Sequence, residues 1–167
     1  LFLYDEKTDE LWSQVAQGSA EIRFPAHLGL AGSVFKSGEK LNIPDAYADE
    51  RFNRGFDKKS GYKTNTILCM PVMTKAGRSL GVIQVINKKG GPFDEQDERA
   101  LRAFCAQASI AIENAQLFEE VVQVKNYNES ILQSMSNSVI TLDADGCLVK
   151  ANRAALSLFG GETSLDD

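Results

Sequence analysis

The chain has 167 residues, 43% of them hydrophobic and 25% charged, with a formal net charge of −5. Its 18 Lys and Arg against 23 Asp and Glu leave no basic excess to neutralise phosphates, which argues against a nucleic-acid-binding module. No apolar run approaches the roughly 20 residues that span a bilayer, and the opening residues do not read as a secretory leader. The expectation is therefore a cytoplasmic chain with no membrane in this stretch. At this length one domain is expected, or two if the second is incomplete.

Taken in chain order, Leu1–Tyr4 is an apolar run, Asp5–Glu10 a turn, and Leu11–Ala16 its hairpin partner. Glu21–Pro25 reads as a third short strand, ended by proline. Leu30, Val34 and Phe35 share one helical face across Gly29–Gly38, with Gly38 as the stop. The polar, aromatic stretch Asn42–Tyr62 shows little periodicity; it reads as a lid loop, with short helices over Ala48–Phe52 and Phe56–Ser60. Thr66–Met73 and Leu80–Asn87 are β-branched, apolar strands joined by a turn at Thr74–Arg78.

From Asp94 to about Leu132 the pattern becomes one long helix with favourable acidic charge at its start. Leu101, Phe104, Ala108, Ala111, Ala115, Phe118 and Val122 step alternately by three and four, a heptad seam; its first part can bury against the sheet, and beyond Leu117 it reads as a connecting helix paired in a parallel homodimer. Near Ser134 the composition shifts again. Ser138–Asp143 and Leu148–Lys150 read as strands around an Asp145-Gly146 turn, followed by a short helix over Asn152–Phe159.

The three cysteines, Cys69, Cys105 and Cys147, lie far apart without metal-ligand spacing, and Cys69 and Cys105 read as ordinary buried thiols. The single histidine, His27, stands in a turn-like stretch with no paired nucleophile in view. No catalytic residue and no metal site are expected.

Several blocks carry a family likeness. Asn87-Lys88, then Phe93, three residues, and Asp97-Glu98 match the signature of the cyclic-nucleotide-binding GAF domains in full. Leu41–Tyr47, Arg51-Phe52-Asn53, Ser60-Gly61-Tyr62 and Ile67–Pro71 resemble the same subgroup, in the same order. Residues 131–160 are similar to the start of a PAS domain. The order GAF, long helix, PAS resembles that of cyanobacterial adenylate cyclases, in which a catalytic domain lies downstream. The resemblance implies an α+β GAF fold, a central antiparallel sheet flanked by helices with a long C-terminal connecting helix. Its implied limits are a GAF domain cut at its N-terminus over 1–118, a linker helix over 119–134 and a partial PAS domain over 135–167.

It also implies a ligand. By resemblance, a cyclic phosphate faces the helix N-terminus at Leu30, Ala31 and Gly32, where unpaired amides and the helix dipole stabilise an anion. Asn53, Asp57, Ser60 and Thr64 are pocket contacts on the lid, although Asn53 and Ser60 also suit turn capping. The implied purine readers are Ala16 and Gln17 at the end of the second strand and Gln84 facing the pocket. Lys88 and Asp97 are implied to clamp the pocket's architecture without touching the ligand, whereas Asp94, Glu95 and Glu98 read as an exposed charge cluster. The expected ligand is cAMP, by the cyclase likeness, with cGMP possible. The expected role is allosteric control of a downstream adenylate cyclase domain. The alternatives are a ligand-free dimerisation module, or a cGMP-binding GAF domain of a phosphodiesterase-like protein. A methionine sulfoxide reductase would need an accessible, activated thiolate, and a bilin domain an exposed lid cysteine.

Overall fold

The computed structural model describes residues 1–13 and 22–158, with the backbone alone for Lys59 and Ser60. The chain divides into two compact units, Leu1–Asn114 and Ala115–Asp167. In the first, β1 (Phe2–Asp5), β2 (Glu10–Ser13), β3 (Arg23–Pro25), β4 (Leu41–Ile43), β5 (Ile67–Met73) and β6 (Ser79–Ile86) form one antiparallel sheet in the order β3-β2-β1-β6-β5-β4. Its helices are α1 (Gly29–Ser37), α2 (Arg54–Ser60) and the first part of α3 (Glu95–Ser134), with one 3₁₀ turn, Ala46–Ala48, among the described residues. This is the expected α+β arrangement.

Strand alternation sorts the core into two layers, because successive side chains leave a strand on opposite faces. Ile67 and Cys69 of β5, Val82 of β6 and Ile43 of β4 pack with Leu30, Ala31 and Val34 of α1. Leu68, Met70 and Val72 of β5 and Ile83 of β6 pack instead with Leu101 and Cys105 of α3. The layer against α1 holds the candidate ligand residues; the layer against α3 holds the helix that leaves the unit.

The first part of the α3 seam buries against the sheet only in part. Leu101, Cys105 and Ser109 are buried, whereas Phe104 and Phe118 are 62% and 70% exposed. The heptad therefore splits into two faces. One covers the sheet, and Phe104, Ala111 and Phe118 lie on the other, exposed one. The physical reason is the step of about 100° per residue: Leu101, Cys105, Ala108 and Ile112 stay on the sheet side, whereas Phe104 and Ala111 fall about 60–80° to one side of Leu101, toward solvent.

The lid helices are also displaced. The first turn sits at Ala46–Ala48 rather than Ala48–Phe52, because Asp45 accepts the Tyr47 N–H at 3.0 Å and starts it early. Asn53 likewise starts α2 before Phe56. The end of the second strand, including Ala16 and Gln17, lies outside the described residues.

In the second unit β7 (Ile140–Leu142) pairs with β8 (Leu148–Ala151), followed by α4 (Arg153–Leu158). Asn152, 3% exposed, joins the unit's parts: its amide donates to the carbonyls of Leu132 and Asn137, and its oxygen accepts from the Val139 and Ala155 N–H groups.

Gly32 fixes how α1 meets the preceding turn. A Cβ there would lie 2.5 Å from the His27 carbonyl carbon and 2.9 Å from the Ala26 oxygen. Both obstacles are backbone and cannot swing aside. Gly32→Ala is therefore expected to destabilise the unit by about 1–3 kcal/mol despite alanine's better helix propensity. Urea unfolding checks it; an unchanged or raised midpoint would contradict the crowding.

Candidate ligand-binding site

Helix α1 begins without an acidic residue in its first turn and without a side-chain cap on Leu28. A helix cannot pair its own first amides, so the Gly29, Leu30 and Ala31 N–H groups form its electropositive end. The Leu30 and Ala31 side chains are core, 5% exposed each, so only their backbones can meet a ligand. Gly32 plays a different part from the one expected. Its N–H is bonded to the Leu28 carbonyl at 3.2 Å, and what it supplies is room for the turn.

The segment between β4 and β5 lies over this end. A Cβ on Gly29 would be 3.7 Å from the Arg51 carbonyl oxygen, and Phe52 packs against the cluster that contains Leu30 and Ala31. Tyr47 and Phe52 stack with ring centroids 5.4 Å apart, and the Arg54 guanidinium lies 5.2 Å from the Tyr47 ring while donating to the Tyr47 carbonyl. Phe56 meets Phe24 of β3 edge-on at 6.3 Å, tying α2 to the far edge of the sheet.

The lid candidates separate into different roles. Asp57 is buried, and its carboxylate accepts from the Thr64 N–H at 2.7 Å, the Thr64 hydroxyl at 2.8 Å and the Tyr47 hydroxyl at 3.0 Å. The Tyr47 phenol is held above its usual pKa chiefly by that hydrogen bond. Asp57 and Thr64 thus form an internal latch across the lid. The Asn53 side chain accepts from the Gly55 N–H at 2.9 Å and caps α2. Ser60 ends α2, and its side chain lies outside the description. Gln84, half-buried, pairs with Cys69 on β6 between Val82 and Ile86, which places it on the α1 face of the sheet. The structure thus brings Leu30, Ala31 and Gln84 to one layer and engages Asn53, Asp57 and Thr64 within the lid itself.

The signature residues bind the lid to α3. Asn87, at φ 55°, turns out of β6 and places its side-chain oxygen on the Asn65 N–H at 2.6 Å and its amide on the Lys63 carbonyl at 2.7 Å. The Lys88 ammonium donates to Asp94 at 2.7 Å and to Asp97 at 2.5 Å. Asp94 and Asp97 cap α3 reciprocally: Asp94 accepts from the Asp97 N–H at 3.1 Å and Asp97 from the Asp94 N–H at 2.8 Å. This is a capping box with aspartate in the glutamate's place. Glu95, which meets Arg99 one turn on, fits the expected surface charge cluster without a role; Asp94 is exposed as expected but holds Lys88 and caps α3, and Glu98 is neither exposed nor unpartnered. Glu98, its side chain 14% exposed, takes Asn42 and Lys40 of the β4 region. Asn42 stood in a family-like block, but neither its pairing nor that of Lys40 with Glu98 was legible, because no spacing rule links β4 to a helix more than 50 residues later.

Cys69 and Cys105 are buried, which disfavours their thiolates. Burial pushes Cys69 up to about 12 and Cys105 to about 11, the reverse of an activated thiolate. Cys147 is exposed in the second unit.

The sequence profile of the GAF domain matches residues 1–112. The chain belongs to the GAF family. The GAF chain is 44% identical over 142 residues to a cGMP-specific 3',5'-cyclic phosphodiesterase of Drosophila melanogaster, covering 83% of this chain and 12% of that protein. It is 39% identical over 135 residues to a 3',5'-cyclic phosphodiesterase of Caenorhabditis elegans, covering 72% and 18%. The chain thus spans less than a fifth of these relatives. Among solved structures, the GAF domain of an Acinetobacter phosphoenolpyruvate-protein phosphotransferase superposes at a TM-score of 0.57 with 27% identity, covering 71% of this chain and 72% of that one. That of Coxiella burnetii superposes at 0.65 with 20% identity over 71% and 73%. Phosphodiesterases among the relatives favour the cGMP alternative over cAMP, and they lend no support to the adenylate cyclase or PAS expectations.

The Asp94 carboxyl is held at about 2, below its usual 3.8, first by the Lys88 ammonium and then by backbone donors at the helix start. A depressed carboxyl stabilises the fold fully above its unfolded value and loses that stability as the pH falls toward the folded one. Wild type is therefore expected to lose stability between about pH 4 and pH 2, and Asp94→Asn to lack that part of the acid transition. Urea midpoints across this range measure it.

Proposed function

We propose that this GAF domain is a regulatory cyclic-nucleotide-binding module and that its ligand is cGMP. The observation that carries the reading is the similarity to cGMP-specific phosphodiesterases together with a signature whose side chains join lid and helix. The phosphate would lie on the Leu30 and Ala31 amides, where one negative charge meets the α1 dipole without an acidic neighbour. Gln84 would read the purine, since an amide both donates and accepts. Asn53 and Ser60 would line the lid side, and the latch of Asp57 on Thr64 would hold the lid shut over a nucleotide. The module's limits fall at 1–118, with residues 119–134 as the connecting helix. A diffusible nucleotide and the absence of a membrane-crossing helix among the described residues fit a cytoplasmic setting.

Titration calorimetry of nucleotide-stripped protein tests this. cGMP is expected to bind well ahead of cAMP. A cAMP preference would return the nucleotide to the cyclase expectation. If neither binds, the second reading, a ligand-free dimerisation module, takes its place. One observation favours that reading: Asn53, Asp57 and Thr64 already satisfy one another or their neighbours.

A parallel homodimer through α3 would cover Phe104 and Phe118, both more than half exposed. Phe118→Glu is then expected to shift light-scattering mass from dimer to monomer. A wild-type monomer at micromolar concentration would remove the proposal.

A further inference from the structure

We infer that Asn42, within the Leu41–Tyr47 block but outside the Asn87–Glu98 signature, is a positioning residue that couples the lid to the first turn of α3. β4 has only three residues, and alternation divides them. Leu41 and Ile43 pack into the α1 layer beneath the lid. Asn42, opposite Leu68, faces the α3 layer, where its neighbours on β5 are apolar. A polar residue on such a face needs partners, and Asn42 has two: its amide donates to the Phe93 carbonyl at 3.0 Å and to the Glu98 carboxylate at 2.9 Å. The other Glu98 oxygen takes the Lys40 ammonium. The residue after β4, Pro44, begins the lid.

The far end of the lid reaches the same turn of α3. Ala46 donates to the Asn65 carbonyl at 2.7 Å, and the Asn65 N–H goes to Asn87, whose neighbour Lys88 grips Asp97. Both roots of the lid thus end on adjacent residues, Asp97 and Glu98. Displacing the first turn of α3 pulls on both roots together, and opening the lid pulls on that turn.

The nucleotide-dependent part of this inference rests on the proposed function; the coupling itself does not. Hydrogen exchange on the full chain separates them. Without nucleotide, Asn42→Leu is expected to speed exchange at least tenfold in residues 44–66 and in the first turns of α3, with β5 and β6 unchanged. Asn42→Asp, equal in size but without the donors and facing Glu98, is expected to do the same. Adding Glu98→Gln to Asn42→Asp restores a donor–acceptor pair in reverse and should recover part of the protection. With cGMP, wild type should gain protection at α3, and Asn42→Leu should bind yet lose that gain.

Faster exchange in the lid alone, in β5 and β6 as well, or in neither the lid nor α3 would each overturn the coupling. Wild type that binds neither cGMP nor cAMP would overturn the nucleotide reading, and the nucleotide-free comparison would still decide the coupling.

Discussion

Lys88 between Asp94 and Asp97 is the constraint on which the first unit's arrangement turns. A single ammonium ends the departure from β6, completes the cap of α3 and fixes the angle at which that helix covers the sheet. The pairs are solvent-accessible, so their Coulomb energy is modest. Their value is geometric. Asp97 serves the ammonium and a backbone amide together, so the turn after β6 and the start of α3 are specified as one object. The apolar layer of Leu68, Ile83, Leu101 and Cys105 packs directly beyond that start.

On the other side of the sheet the logic is backbone exposure rather than charge. The side chains of Leu30 and Ala31 hold α1 in the core, which leaves its first amides as the chemically available surface. Gly32 keeps those amides close to the turn before them. The lid is held over this end by aromatic stacking and by one buried carboxylate, Asp57, whose acceptor capacity is spread over a hydroxyl, a phenol and an amide. A latch built from one side chain opens as a unit.

Sequence periodicity made the regular parts legible. β5 and β6 are long, β-branched and buried on both faces, and α1 carries its apolar face and glycine stop within ten residues. The signature made the family legible as well. What escaped was short or nonlocal. β4 alternates over only three residues, too few to establish a period, and the roles of Asn42 and Glu98 exist only when strand and helix meet. Asp57 and Thr64 were legible as polar lid residues, but whether they face a ligand or one another depends on the lid's fold. The α3 seam was legible as a helix that first covers the sheet and then runs on; what it did not reveal is that within the first part Leu101 and Ala108 turn to the sheet while Phe104 turns away.

The sheet order has a consequence for how the chain is made. β1 and β6 meet at its centre, with Phe2 opposite Val82 and the Phe2 carbonyl so close to Gly81 that a Cβ there would stand 2.1 Å from it. On either side the pairings are between near neighbours in sequence, save β4 with β5. During synthesis the β1–β2–β3 hairpins must therefore wait, with one edge unpaired, until β6 has left the ribosome. Loop closure between strands so distant in sequence sets a slow step, and an open edge in the interim is a site for pairing with another chain. The close fit at Gly81 seals that seam once and leaves no space for a slipped register, so the two halves of the sheet join late and in one way.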